Sequence, residues 1–375
     1  MAEAQKLQLS IMAQEALDAN SPVNINVSNQ SETQRRKFWF RMTIYTFFLL
    51  SGQSVATLLG RLYFDKGGKS KWMGTIVQLI GFPIFLPYYT TPAYKNSASN
   101  RIHSKHPSAL ILVAVYVVLG LLVAANSYMY SVGLQYLPVS TYSLICASQL
   151  AFNAFFSYFF NSQKFTPYVV NSLVLLTISS ILLVFQTEST DPSKVSKVKY
   201  AIGFICTIGA SAGYGLVLSL TQFSIQRILK RETFSVVIDM TVYQSLVATC
   251  ATLVGLFASG EWKGLTKEMN EFELGKVSYV MTLTWTAIGW QVFSIGAVGL
   301  IIEVSSLFSN VISVLGLPII PVLAVIFFHE KMGGVKAISL VLAIWGFISY
   351  VYQQYLDHNK SKIENENDKA ESELL

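Results

Sequence analysis

The sequence predicts an all-α integral membrane protein whose ten transmembrane helices form two inverted five-helix repeats. Three observations carry this. Charges are few and clustered, apolar runs of membrane-spanning length lie between the clusters, and the second half echoes the first. Of the 375 residues, 52% are hydrophobic and 13% charged, with a mean hydropathy of +0.47. A chain wetted on all sides would carry about 25% charged residues, so lipid is expected to cover most of this surface.

Runs of about 20 apolar residues place spans near 42–60, 73–94, 109–134, 138–160 and 167–186 in the first half. The second half gives 200–223, 235–259, 278–302, 304–328 and 334–354, the eighth and ninth almost without a loop at Glu303. The organisation that follows is a polar N-tail (1–34), a first repeat (35–186), a linker (187–199), a second repeat (200–356) and an acidic C-tail (357–375). Both tails read as solvated, disordered segments. Residues 1–34 are too polar for a cleaved signal, so the first span is expected to act as the insertion signal. Arg35, Arg36 and Lys37 stand directly before it. The positive-inside rule then puts the N-terminus in the cytosol, and ten spans return the C-terminus there. These clusters, with Arg227, Lys230 and Arg231, read as membrane anchors rather than as a nucleic-acid surface, because no soluble domain presents them. Cys146, Cys206 and Cys250 all fall inside apolar runs, without disulfide or metal-ligand spacing. No metal or cofactor is implied.

The repeat is visible as an ordered series of matches. Thr75 and Gln78 fall on Thr241 and Gln244 at an offset of 166. Asn126 falls on Gln291, and Val139-Ser140 on Val304-Ser305, at 165. Phe159-Phe160 meets Phe327-Phe328 at 168. Five spans are an odd number, so the second half enters the bilayer inverted. Inverted halves related by an axis in the membrane plane place a substrate site near the midplane between them.

Several segments carry a family resemblance. They are Ser51-Gly52-Gln53, the run from Leu58 to Phe64, and Gln78-Leu79-Ile80-Gly81-Phe82-Pro83, then the run from Val304 to Ile312 and that from Pro318 to Ala324. Over roughly residues 35–355 the chain resembles the plant purine permeases of the drug/metabolite transporter superfamily. The resemblance implies ten helices in two inverted fives and proton-coupled uptake of adenine, related bases and cytokinin-type adenine derivatives. The expected location is multi-pass in the plasma membrane, with both termini cytosolic and the oligomeric state open.

The spans hold almost no Lys or Arg, with Arg41 and Arg61 at helix ends. A carrier of phosphates or nucleotide sugars needs cations at its site, so the expected ligand is small and neutral. Buried amides remain to recognise it. Asn126 and Gln291 occupy equivalent places in the two halves, and Asn or Gln can pair with the N6/N7 edge of adenine. Single amides in membrane helices also serve as interhelical glue, worth about 0.6–2 kcal/mol, so both readings stay open. Tyr142, Cys146, Gln149 and Asn153 share one helix face by their spacing, and Ser306, Asn310 and Ser313 make a shorter stripe. Gln53, Gln78 and Gln244 are similarly ambiguous. Tyr130, Trp290 and Trp72 offer faces for stacking, though Trp72 also suits an interfacial belt.

Proton coupling needs a titratable group at membrane depth, where an acid costs about 2.5–3.5 kcal/mol to insert. Glu303 is the first candidate and Asp239 the second, with Glu330 at another span end. Pro83 and Pro87, like Pro318 and Pro321, serve either as hinges or as fixed bends. The rival class is a membrane-embedded enzyme or receptor. No paired carboxylates, His-rich cluster or Gly-rich nucleotide loop lies in the spans, and His103, His106, His329 and His358 all fall in loops or tails. Within transport, the runner-up is a nucleotide-sugar or phosphate-ester exchanger.

Overall fold

A computed structural model describes residues 22–92, 94, 108–162, 197–230, 234–316 and 319–329, with scattered positions between 166 and 182 and between 333 and 356. The chain divides into residues 1–44 and 45–375. The described part of the smaller unit, from Pro22 onward, is helical.

Every regular element among the described residues is helical. In chain order they are α1 (Pro22–Asp65), α2 (Lys71–Leu79), α3 (Ala109–Tyr136), α4 (Val139–Cys146) and α5 (Gln149–Asn161). Then come α6 (Lys197–Phe223), α7 (Phe234–Ser259), α8 (Leu265–Glu271), α9 (Gly275–Glu303), α10 (Ser306–Gly316) and α11 (Ile319–Phe328). Six spans are long and apolar enough to cross a bilayer: Arg36–Asp65, Ala109–Tyr136, Val139–Asn161, Lys197–Leu229, Phe234–Ser259 and Gly275–Glu303. Their outer faces expose Val113, Val254, Phe257 and Val277, each more than half accessible. Lipid is the solvent that tolerates such faces.

The second expected span, 73–94, is not one α-helix. α2 stops at Leu79, and a 3₁₀ segment, Phe82–Thr90, follows with Pro83 near its start and Pro87 inside it. Proline has no N–H to give the ladder and clashes with the preceding turn, so the run changes its hydrogen bonding and direction. The fourth span bends more gently. Ala147 and Ser148 donate to Leu144 and Ile145, three residues back, which tightens one turn between α4 and α5. The ninth expected span holds α10 and α11, with residues 317 and 318 outside the described set. More than half of the fifth, 167–186, lies outside it, as do Glu330 and about a third of the tenth, 334–354, whose described residues are helical.

Helix directions follow from close contacts. α1 crosses α9 antiparallel: Gly52 lies against the backbone of Gly289 and Phe293, and Gly296 against Tyr45 and Leu49. A Cβ on Gly52 would stand 2.6 Å from the Gly289 carbonyl, so only glycine permits the approach. α3 and α6 are also antiparallel, with Gly203 beside Tyr136 and Leu137 and Gly213 beneath Asn126. An apolar core sits where α4 and α5 meet α10 and α11, around Leu137, Val139, Ile145, Leu307, Val311 and Ile320. α1 ends at the end of the bundle where α2, α6 and α9 begin, and α9 ends at the other.

Candidate functional site

Between these helices lies a cavity of about 140 Å³. An engineered apolar cavity of about 150 Å³ takes up benzene, so the space suits one small planar ring system. Its wall is built by α1–α7, α9 and α10, and the described residues that line it include no Asp, Glu, Lys, Arg or His. Five amides border it: Gln53, Gln78, Asn126, Gln149 and Gln244.

Four of the polar groups are bound to one another by three hydrogen bonds. The Tyr130 hydroxyl donates to Gln149 Oε1 at 3.3 Å, and Gln149 Nε2 donates to Ser313 Oγ at 3.2 Å. Ser313 Oγ in turn donates to Gln53 Oε1 at 3.1 Å. This relay joins α3, α5, α10 and α1 across the cavity. Gln78 donates to Gly74 O at 3.1 Å and to Ser131 Oγ at 2.8 Å, which leaves its Oε1 unengaged. Among the described residues, Gln244 Nε2 meets only Met240 Sδ, at 4.0 Å. Asn126 Oδ1 is buried without a partner among the described residues. Leaving such a group unpaired costs about 1–3 kcal/mol, a cost a bound ligand could relieve.

Aromatic faces form the rest of the wall. Trp290 meets Phe293 edge-on at 5.3 Å, and Tyr214 lies tilted on Phe293 at 6.2 Å. Across the cavity, Tyr130 and Tyr142 stand edge to face at 5.9 Å. Neutral amides between aromatic walls can hold a flat, hydrogen-bonding, uncharged molecule. Arg61, the cation nearest a span interior, is already engaged. It pairs with Asp65 at 2.8 Å and donates to the carbonyls of Leu134 and Leu137 at 2.9 and 2.6 Å.

Of the residues singled out from sequence, Gln53, Asn126, Tyr130, Gln149 and Trp290 border the cavity. Gln291 does not. Its Nε2 donates to Leu79 O at 3.1 Å, behind the wall that Leu79 forms. Asn153 is engaged on all sides, donating to Ser306 O and accepting from Ser157 and Ser219. It joins α5, α6 and α10. Asn310 donates to the Gln149 carbonyl at 3.0 Å, and Trp72 stacks on Tyr128 at 4.4 Å. Asp239 is buried, accepts from the Tyr94 hydroxyl at 3.4 Å and lies two residues before Thr241, which borders the cavity. Glu303 ends α9, two residues past Ile301, the last cavity residue of that helix.

Sequence reasoning missed Tyr214 and Phe293. A signal for the first was present in Gly213-Tyr214-Gly215. Gly215 lies against the Asn153 backbone and Gly213 under Asn126, so α6 comes close and its tyrosine turns inward. Gln78 and Gln244, matched in the repeat, border the cavity together, whereas Asn126 and Gln291 do not.

A family model described as purine nucleobase transmembrane transport matches residues 40–360. The chain belongs to the purine permease family. It is 61% identical over 355 residues to "Probable purine permease 10" of Arabidopsis thaliana, covering 95% of this chain and 91% of that one. Purine permease 21 of the same plant is 59% identical over 355 residues, covering 95% and 91%. "Probable purine permease 8" is 57% identical over 370 residues, covering 98% and 93%. Membership makes this purine permease a multi-pass membrane transporter and not an enzyme.

Proposed function

We propose that this purine permease is a secondary active carrier of neutral purine nucleobases, adenine and cytokinin-type adenine derivatives among them. The observation that carries this reading is the cavity itself: amides, hydroxyls and aromatic faces, with no charged side chain among the described residues of the wall. The transport named for the matching family model and for the relatives agrees with it. Phosphorylated substrates are disfavoured, because a buried phosphate needs cationic partners and Arg61 is committed to Asp65 and two carbonyls.

The proposed mechanism is alternating access around this cavity in a ten-helix fold of two inverted halves, 35–186 and 200–356. Support comes from the antiparallel pairing of α1 with α9 and of α3 with α6, and from Gln78 and Gln244 meeting at one cavity. Candidate ligand contacts are Asn126, Gln149, Gln53, Gln244, Tyr130 and Trp290, with Gln291, Asn153 and Asn310 behind the wall and Trp72 at its end. The proposed coupling ion is the proton, carried by Glu303 or Asp239, and the proposed location is the plasma membrane with both termini cytosolic.

Uptake of labelled adenine into proteoliposomes tests this. Accumulation driven by an acid-outside gradient is expected, and Glu303→Gln should abolish accumulation while leaving exchange measurable. Accumulation by that variant would pass the role to Asp239. Exchange that requires an internal counter-substrate and ignores pH would sink the purine-proton reading and favour the exchanger.

A further inference from the structure

The end of the bundle where α1 stops is closed by a second polar system. The loop between α1 and α2, residues 66–70, lies against the segment between α7 and α9, residues 260–274. The two segments come from opposite halves of the chain. Gly67, with φ +113°, and Gly260, with φ +75°, supply backbone turns that a residue with a side chain rarely adopts. At the centre is Glu268 on α8, 5% exposed. Its carboxylate accepts from the Tyr63 hydroxyl at 2.5 Å and the Tyr279 hydroxyl at 3.1 Å. It also accepts from the backbone N–H of Lys69 at 2.9 Å and of Ser70 at 3.1 Å. Glu261 accepts from Ser70 Oγ at 2.6 Å and from the Trp72 N–H at 3.2 Å. Glu273 donates its backbone N–H to Lys66 O at 3.1 Å, and their side chains pair at 2.9 Å.

Beneath these bonds is an aromatic plug. Tyr63 packs on Phe64 at 4.9 Å and on Tyr279 at 6.0 Å, and Phe272 meets Tyr279 at 5.3 Å. Between plug and cavity lies a space of only about 20 Å³, bordered by Tyr63 and Phe64 and sharing Gln78, Tyr142 and Trp290 with the cavity. That volume holds a water or two and excludes a purine. At its other extreme the cavity wall reaches Ile301, near the end of α9.

We propose that Glu268 and its donors form the gate that closes the cavity on the side of the membrane where α1 ends, and that this gate parts in each transport cycle. The proposal rests on the carrier reading above. Glu268 acts as a positioning residue: it touches no substrate and holds Tyr63, the plug residue, under the loop. An array of short hydrogen bonds suits such a role, because its donors and acceptors can exchange protein for water when the halves separate. A greasy seal of equal area has no such exchange and would cost its whole apolar hydration on opening.

The native Cys146 borders the cavity, which makes it a reporter that needs no substrate. In Cys206→Ser/Cys250→Ser protein in sided vesicles, a membrane-impermeant maleimide is applied to each face in turn. Glu268→Gln puts an N–H₂ where donors converge. Labelling of Cys146 from the α1-end face is expected to rise several-fold, and Tyr63→Phe should move it in the same direction by less. A second arm locks the gate. The backbone bond between residues 66 and 273 brings them within disulfide reach, so oxidised Lys66→Cys/Glu273→Cys protein should lose both uptake and labelling from that face. Dithiothreitol, removed before labelling, should restore uptake and the labelling of Cys146, read on the peptide that carries residue 146 and apart from those that carry residues 66 and 273. Normal transport by the oxidised, cross-linked protein overturns the proposal, as does labelling unchanged by Glu268→Gln. Absence of purine uptake from the parent protein would count against the substrate reading, while the labelling result stands or falls separately.

Discussion

The cavity and the gate are both polar clusters inside an apolar bundle, yet they are built from opposite chemistry. The cavity uses neutral amides and phenols and, among the described residues, leaves Asn126 Oδ1 without a partner. The gate uses carboxylates, and the Glu268 carboxylate is satisfied by four donors. A buried charge must be fully bonded or the fold loses several kcal/mol. A buried neutral amide tolerates partial bonding at about 1–3 kcal/mol. The unpaired amide oxygen at the cavity leaves a polar edge free for a ligand, and the four donors on Glu268 hold that end of the bundle in one conformation.

This contrast predicts a separation of phenotypes, and the largest effect belongs to the gate. Glu268→Ala removes the acceptor that four donors share, and among the described residues only the Tyr63 hydroxyl keeps another, Ser70 O at 3.2 Å. At about 1–3 kcal/mol for each donor that water cannot reach, the loss of stability is expected to exceed about 3 kcal/mol. A fall in the melting temperature of the detergent-solubilised protein measures it. A melt indistinguishable from the parent would show that the buried carboxylate is not the centre of this end of the bundle.

The cavity should respond the other way, in affinity rather than stability. Asn126→Ala removes an amide whose Oδ1 has no protein partner, so the fold loses little while the ligand loses a contact. About 1–3 kcal/mol corresponds to roughly 5- to 150-fold weaker adenine binding. Gln291→Ala should give the reverse pattern, because its Nε2 is bound to Leu79 O: a lower melting point with affinity changed less. Equal losses of affinity in both variants, measured by equilibrium binding, would mean that the Leu79 wall moves aside when ligand enters.

The same contrast explains what could be seen in the sequence. Unbroken apolar runs located α3 and α7 closely, with 109–134 expected against Ala109–Tyr136 and 235–259 against Phe234–Ser259. Length and hydropathy suffice where lipid is the solvent. They fail at 73–94, where Pro83 and Pro87 turn an apolar run into α2 and a 3₁₀ segment. Which amides face the cavity was harder, because a helix that is apolar all round offers no polar face from which to read its rotation. Trp290 and Gln291 are adjacent in sequence, but successive residues turn about 100°, and only the first reaches the cavity. The gate was not legible at all. Glu268 and Tyr63 are 205 positions apart, and a charged loop residue reads as solvated until the fold closes over it.

The smallest effect is expected at Lys69, and it tests whether the gate works through backbone or side chain. Lys69 offers two contacts to the opposing segment. Its backbone N–H donates to Glu268 Oε2 at 2.9 Å, and its ammonium pairs with Glu271 at 3.5 Å. The ammonium pair is exposed, at 74% and 49% of the two side chains, so water and salt screen it and its worth is about 0.2–1 kcal/mol at most. Lys69→Ala deletes that pair and keeps the N–H in place. Uptake, melting temperature and labelling of Cys146 from the α1-end face should all stay close to the parent values. Lys69→Pro removes the N–H as well and should shift the labelling toward that of Glu268→Gln. If Lys69→Ala alone opens the gate, long-range charge attraction between the two halves, rather than the bonded carboxylate, holds this end of the carrier shut.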